Sequence, residues 1–140
     1  VKLLNLVAAH DGGRIINPML AESQIHGGVD MGLGYGRYEE QIVDPRTGIP
    51  VTTNMFDYKL ATAVDEPLVA AHLVEQVDNH LTSVGAKGLA EPPTMPTAPA
   101  IINAVYNATG ALVTHIPVTP ERVLTALKAK AAAGGQEGGK

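Results

Sequence analysis

Three groups of residues in this chain have types and spacings that could do chemistry. The first is the run Gly85-Ala86-Lys87-Gly88-Leu89-Ala90-Glu91, closed by Pro92-Pro93. Small residues let backbone come close to a ligand, and the two prolines stiffen the chain after the acid. A residue before proline is pushed towards an extended conformation. Glu91 therefore reads as an aimed carboxylate, a candidate for proton transfer, or else as the acid of a solvated surface turn. The second group is His10-Asp11, whose types suit a hydrolytic dyad. Neighbours on a strand point to opposite faces and cannot make that hydrogen bond. No Gly-x-Ser-x-Gly elbow accompanies them, so the pair reads as a strand-end turn. The third, Gly32-Leu33-Gly34-Tyr35-Gly36, has Arg37 where a dinucleotide fingerprint has its last glycine, and it lies inside a helical pattern. A Rossmann reading fails. The histidines (His10, His26, His72, His80 and His115) are scattered without H-x-x-x-H spacing, which gives no support to a zinc site made by this chain alone.

These residues must be positioned by a mixture of strands and helices. The apolar run over 2–10, stopped by Asp11-Gly12-Gly13, predicts a buried strand. Asn17-Pro18 has the form of a helix start, with Asn as cap and Pro in the first turn. From there to about Glu40, apolar residues recur at helical spacing, interrupted by Gly27, Gly28, Gly32, Gly34 and Gly36. So much glycine predicts that another backbone or a ligand packs tightly against this helix. Residues 42–51 resemble a hairpin turning at 44–48, residues 56–60 a short extended piece, and residues 71–77 a strand. A helix is expected over 97–109, with Ala100, Ile101, Ala104, Val105 and Ala108 on its apolar face and Gly110 as its stop. Residues 112–116 read as a strand. Thr119-Pro120 starts a last helix with Val123, Leu124 and Leu127 on its apolar face. The fold class is therefore α/β or mixed α+β, with one domain over 1–130 and an Ala/Gly-rich flexible tail over 131–140.

The chain's 140 residues, 45% hydrophobic and 17% charged, suffice for a packed core built mainly of aliphatic side chains. A net charge of −4 without a Lys/Arg cluster argues against nucleic acid. No apolar run approaches the length of a membrane span. The lack of cysteine excludes disulfides, thiolate metal sites and iron–sulfur ligation by these residues, and fits a reducing, cytoplasmic setting. No secretory segment is visible. With no initiator Met, the chain reads as a processed product or a piece of something larger.

Taken together, several segments resemble one family. His10-Asp11-Gly12-Gly13-Arg14-Ile15-Ile16-Asn17-Pro18, Gln24-Ile25-His26-Gly27-Gly28 and Gly32-Leu33-Gly34-Tyr35 are followed by the 85–93 run. Ala100-Ile101-Ile102-Asn103-Ala104-Val105 and Ile116-Pro117-Val118-Thr119-Pro120-Glu121-Arg122-Val123-Leu124 come after it. In this order they resemble the C-terminal part of the molybdenum-binding large subunit of the xanthine dehydrogenase/aldehyde oxidoreductase family. The resemblance implies the C-terminal part of a molybdopterin-binding domain. The cofactor would be molybdopterin, in its cytosine dinucleotide form, with molybdenum. It also implies hydroxylation of an aldehyde or N-heterocycle carbon with oxygen from water. Glu91 falls on the family's active-site glutamate, a general base beside a metal that no residue of this chain ligates directly. Gln24 falls on a glutamine that contacts the molybdopterin, and Gly88, Leu89 and Ala90 on the loop whose backbone approaches it. Lys87 either balances cofactor phosphate or faces solvent. The family most often has Gly at the position of Ala90, whose methyl requires a negative φ. The implied partners are the remainder of the large subunit, an iron–sulfur subunit with 2Fe-2S, an FAD subunit and a small-molecule substrate. Activity is expected only in that complex. The rival reading is a structural or assembly module that keeps the fold without catalysis.

Overall fold

A computed structural model describes residues 1–137. The element order is β1 (Asn5–Asp11), α1 (Pro18–Arg37), β2 (Leu68–Val74), a 3-10 turn (Pro92–Thr94), α2 (Thr97–Thr109) and α3 (Pro120–Glu137). This is the mixed class expected. The chain divides into two compact units. One comprises Lys2–Leu33 with Ala61–Thr97, the other Val1, Gly34–Leu60 and the chain from Ala98.

In the first unit β1 and β2 pair in parallel, with Leu6 opposite Val69, Ala8 opposite Ala71 and His10 opposite Leu73. Those residues are half-buried, whereas Val7, Ala9, Leu68, Ala70 and His72 are exposed. The expected buried strand is thus covered on one face only, because two strands of this chain leave the other bare. Val7 is 67% exposed and Leu68 75%, although parallel strands are ordinarily covered on both sides. β2 lies three residues earlier than its expected span of 71–77. Its ladder ends where the Asp11 side chain accepts the Gln76 N–H in place of a backbone carbonyl (3.2 Å).

Helix α1 starts as its sequence predicts. Asn17 Oδ1 accepts the Leu20 N–H at 3.1 Å and the Asn17 carbonyl accepts the Ala21 N–H at 3.0 Å. Ile25, Val29 and Leu33 are its buried stripe. Its glycines serve close packing. A Cβ on Gly28 would lie 2.8 Å from Pro93 Cβ, and one on Gly32 would lie 2.5 Å from Thr97 Cβ and 2.8 Å from the Thr94 carbonyl. Gly27 faces open space. The residues pressed against α1 are those that immediately follow Glu91. Thr97 is buried there and donates its hydroxyl to the Pro93 carbonyl (3.2 Å).

In the second unit, residues 42–51 fold back as a hairpin. It is reduced to a single Val43–Pro50 bridge, with Asp44 Oδ1 accepting the Arg46 N–H (2.8 Å) and Gly48 at φ +71°. Residues 56–58 turn and bend, and 59–60 have no regular structure, in place of the extended piece expected. Asn54 Oδ1 accepts the Phe56 N–H at 2.9 Å and its amide donates to Asp57 (2.8 Å), so a local side chain captures the backbone. Helix α2 has the expected limits. Gly110 follows it at φ +64° with its N–H on the Tyr106 carbonyl (2.6 Å). Its buried face is Ala98, Ile101 and Val105, narrower than predicted, with Ala100, Ala104 and Ala108 outside it. Residues 112–116 form no strand. Burial alternates there, with Ala111 and Val113 buried and Leu112 and Thr114 exposed, but no described strand pairs with them. Thr119 Oγ1 caps α3 by accepting the Arg122 N–H (3.2 Å). On that helix Val123 is half-buried while Leu124 and Leu127 are exposed. The helix continues to Glu137, so the stretch expected as a tail is helical that far, and residues 138–140 lie outside the described residues. Among the described residues no helix is long and apolar enough to cross a membrane.

Candidate functional site

The 85–91 loop is fastened to the end of β1. Gly13 and Ala86 form an antiparallel bridge. The Arg14 N–H donates to the Gly85 carbonyl and the Lys87 N–H to the Gly12 carbonyl, each at 2.9 Å. Gly13 (φ +62°) and Gly85 (φ +74°) adopt left-handed conformations that side chains disfavour, which is why this junction needs glycine on both sides. Side chains add to it. Lys87 Nζ donates to Asp11 Oδ2 at 2.5 Å, and His10 Nε2 lies 3.1 Å from the Gly88 carbonyl. The Lys87 ammonium beside Asp11, helped by the Gly13 and Gln76 N–H groups, holds that carboxyl at about 2. His10 and Asp11 thus engage different partners, as strand geometry requires. Lys87 is half-buried and paired, so the simple solvated alternative does not describe it.

A groove of about 280 Å³ opens between this loop and the start of α1. Ile15, Ile16, Leu20 and Leu89 line it with apolar side chains, and Arg14, Asn17, Gln24 and Lys87 are also among its lining residues. The structure therefore brings together Gln24, Lys87 and Leu89 from the sequence-derived set. Gly88, Ala90 and Glu91 do not line the groove. They flank Leu89 in the same loop and are exposed. A Cβ on Gly88 would meet nothing within 4 Å. No non-glycine residue described has positive φ, so Ala90 carries its methyl without strain. Glu91 departs from the extended backbone expected before proline. Its φ and ψ are −89° and −32°, because the Thr94 N–H donates to the Glu91 carbonyl (2.9 Å) and closes the 3-10 turn. That hydrogen bond outweighs the local steric bias.

Sequence reasoning missed Arg14 and Ile15 as groove residues and the gripping role of His10 and Asp11. The Gly12-Gly13 pair beside them was the available signal, since it marks a close backbone approach. A larger groove of about 490 Å³ in the second unit is lined by Glu40, Val113, His115, Arg122 and Thr125 among others. It holds none of the candidate residues. Its cation is already satisfied, Arg122 donating to Glu40 at 2.5 Å and to the Pro117 carbonyl at 2.8 Å. Size alone does not make it the site.

Residues 1–67 match the molybdopterin cofactor-binding domain family. Over 123 residues, 88% of the chain, the sequence is 42% identical to the putative xanthine dehydrogenase molybdenum-binding subunit XdhA of Escherichia coli. The chain belongs to the molybdenum hydroxylase family. A second relative, the aldehyde oxidoreductase molybdenum-binding subunit PaoC of Escherichia coli, is 35% identical over 127 residues, 91% of the chain. The crystal structure of quinoline 2-oxidoreductase from Pseudomonas putida 86 superposes with a TM-score of 0.83 over 91% of the chain at 31% identity. The chain spans 16% of the length of XdhA, 17% of PaoC and 16% of the quinoline enzyme's chain. The mixed fold is that of the molybdopterin-binding domains of molybdenum hydroxylases, and the two curated relatives are by name molybdenum-binding subunits of a xanthine dehydrogenase and an aldehyde oxidoreductase.

Proposed function

We propose that this chain contributes the general base and one wall of the cofactor site of a molybdenum hydroxylase, with Glu91 as the base. The reaction is hydroxylation of an aldehyde or N-heterocycle carbon. Water supplies the oxygen, a C–H bond is replaced by C–OH, and two electrons and two protons leave. The observation that carries this reading is the placement of Glu91. It is an exposed carboxylate at the end of a loop whose preceding residues are hydrogen-bonded to the end of β1 and whose following residues are pressed on α1.

The groove's chemistry fits molybdopterin. Its mainly apolar lining suits a flat heterocycle. The Gln24 side chain, exposed and without a hydrogen bond to the described residues, can both donate to and accept from a polar ring edge. The Arg14 guanidinium, likewise free of partners among the described residues, suits a phosphate. Open space beside Gly88 lets a ligand come against the backbone of Gly88, Leu89 and Ala90. Lys87 adds positive charge at the groove's side even while paired to Asp11. When bound, the molybdenum cofactor, taken in its cytosine dinucleotide form, supplies the two-electron redox chemistry. Glu91 accepts a proton at a carboxylate oxygen, which requires that oxygen within about 2.6–3.2 Å of the donor. Nothing in this chain can carry electrons onward, so 2Fe-2S and FAD centres on partner chains or domains complete the path. The names of the relatives, xanthine dehydrogenase and aldehyde oxidoreductase, support the substrate class.

Replacing Glu91 by Gln in the complete enzyme tests this. Molybdenum content is expected to stay intact while turnover falls at least about 10²-fold, the scale of lost general-base catalysis. Near-normal turnover would remove Glu91 from the mechanism and favour the structural-module reading.

A further inference from the structure

Consecutive residues at the end of β1 grip consecutive residues of the loop that leads to Glu91. Asp11 Oδ2 accepts from Lys87 Nζ at 2.5 Å, while Oδ1 accepts the N–H groups of Gly13 (2.9 Å) and Gln76 (3.2 Å). One carboxylate therefore joins the end of β1, the segment after β2 and the loop. His10 reaches the next loop residue, its Nε2 lying 3.1 Å from the Gly88 carbonyl. A carbonyl only accepts, so the imidazole holds its proton on Nε2. On the far side of Glu91, Pro93 and Thr94 are seated against Gly28 and Gly32 of α1. Between the two anchorages only Leu89 and Ala90 separate Gly88 from Glu91, a reach of about 10 Å of chain at most. A shift of the loop at Lys87 or Gly88 has only Leu89 and Ala90 in which to be absorbed before it reaches Glu91.

We propose that Asp11 and His10 are positioning residues for the Glu91 carboxylate, acting through Lys87 and the Gly88 carbonyl respectively. The proposal rests on the reading of Glu91 as the base. It gives the His10-Asp11 pair a role beyond ending a strand, and it explains why Lys87 sits paired at the groove's edge.

The test uses the complete enzyme with its cofactor. Asp11→Asn and His10→Ala are each made alone and in a Glu91→Gln background. Asp11→Asn and His10→Ala are expected to lower kcat about tenfold with KM changed less than about twofold, the signature of a misplaced catalytic group. In the Glu91→Gln background each should cost less than about twofold, because the group they aim is already gone. Hydrogen exchange of residues 85–90, a readout independent of activity, should quicken in Asp11→Asn and His10→Ala. Equal losses in both backgrounds would overturn the proposal while leaving Glu91 as base. So would faster exchange with unchanged kcat. Normal turnover of Glu91→Gln itself would sink the base reading and this proposal together. Should Asp11→Asn lose molybdenum, His10→Ala, which removes a single hydrogen bond, decides by the same comparison.

Discussion

At the scale of single residues, a carboxylate becomes a candidate base through what its neighbours fix. The backbone around Glu91 is held on either side, by hydrogen bonds before it and by the 3-10 turn after it. Gly88 shows the same division between fold and site. Its Cβ direction is open and its φ is not left-handed, so Gly88→Leu should unfold at the same denaturant concentration as the parent. The added side chain would occupy the space proposed for the cofactor, and molybdenum content by metal analysis should drop. Asp11 offers a pH test. Its folded carboxyl is lowered from the usual 3.8 to about 2, first by the Lys87 hydrogen bond. A depressed carboxyl contributes stability above 3.8 and loses that contribution as pH falls through about 2. NMR titration should find the Asp11 midpoint near 2, moving up towards 3.8 in Lys87→Met. An unchanged midpoint would mean that the ion pair does not form.

At the scale of elements, helix α1 is where glycine spacing becomes structure. Gly28 and Gly32 sit four residues apart, so they fall on one face, and the turn after Glu91 lies directly on them. Gly32→Ala should cost about 1–3 kcal/mol by overpacking against Thr97 and the Thr94 carbonyl. Gly27→Ala on the same helix, with nothing within 4 Å, should stabilise by up to about 1 kcal/mol through helix propensity. Denaturant unfolding of the two variants side by side reads both signs, and equal effects would refute the packing argument. The helix starts were legible because a cap is a local event. Asn17 and Thr119 satisfy N–H groups three residues ahead, and Gly110 ends α2 through its own φ. The short strands were not. Residues 112–116 alternate as a strand should, but a strand exists only where another pairs with it. Residues 56–60 lost to the Asn54 side chain, a competition that apolar pattern does not register.

At the scale of the whole molecule, the described residues leave many large apolar side chains uncovered. Phe56, Val64, Leu68, Ile16 and Val7 are each largely exposed, and the parallel β1–β2 pair has a bare face. A two-stranded sheet is marginal by itself. Purified alone, the 140-residue chain is expected to bind a hydrophobic dye such as ANS and to contain no molybdenum, because a groove of about 280 Å³ cannot enclose a pterin dinucleotide. Stoichiometric molybdenum on the chain alone would contradict this. The relatives it matches are between about five and six times its length.

The sequence by itself determined the family, the helix starts and the identity of the candidate base, because motif order, caps and glycine punctuation are written in neighbouring residues. It did not determine that Asp11 meets Lys87 across 76 positions, that Gln24 and Leu89 share a groove, or that Glu91 takes a helical backbone before proline. Those depend on the parallel pairing of β1 with β2 and on the seating of the 93–97 segment against α1. Contacts between distant segments form only when the chain closes on itself, and no local propensity encodes which partner will be there.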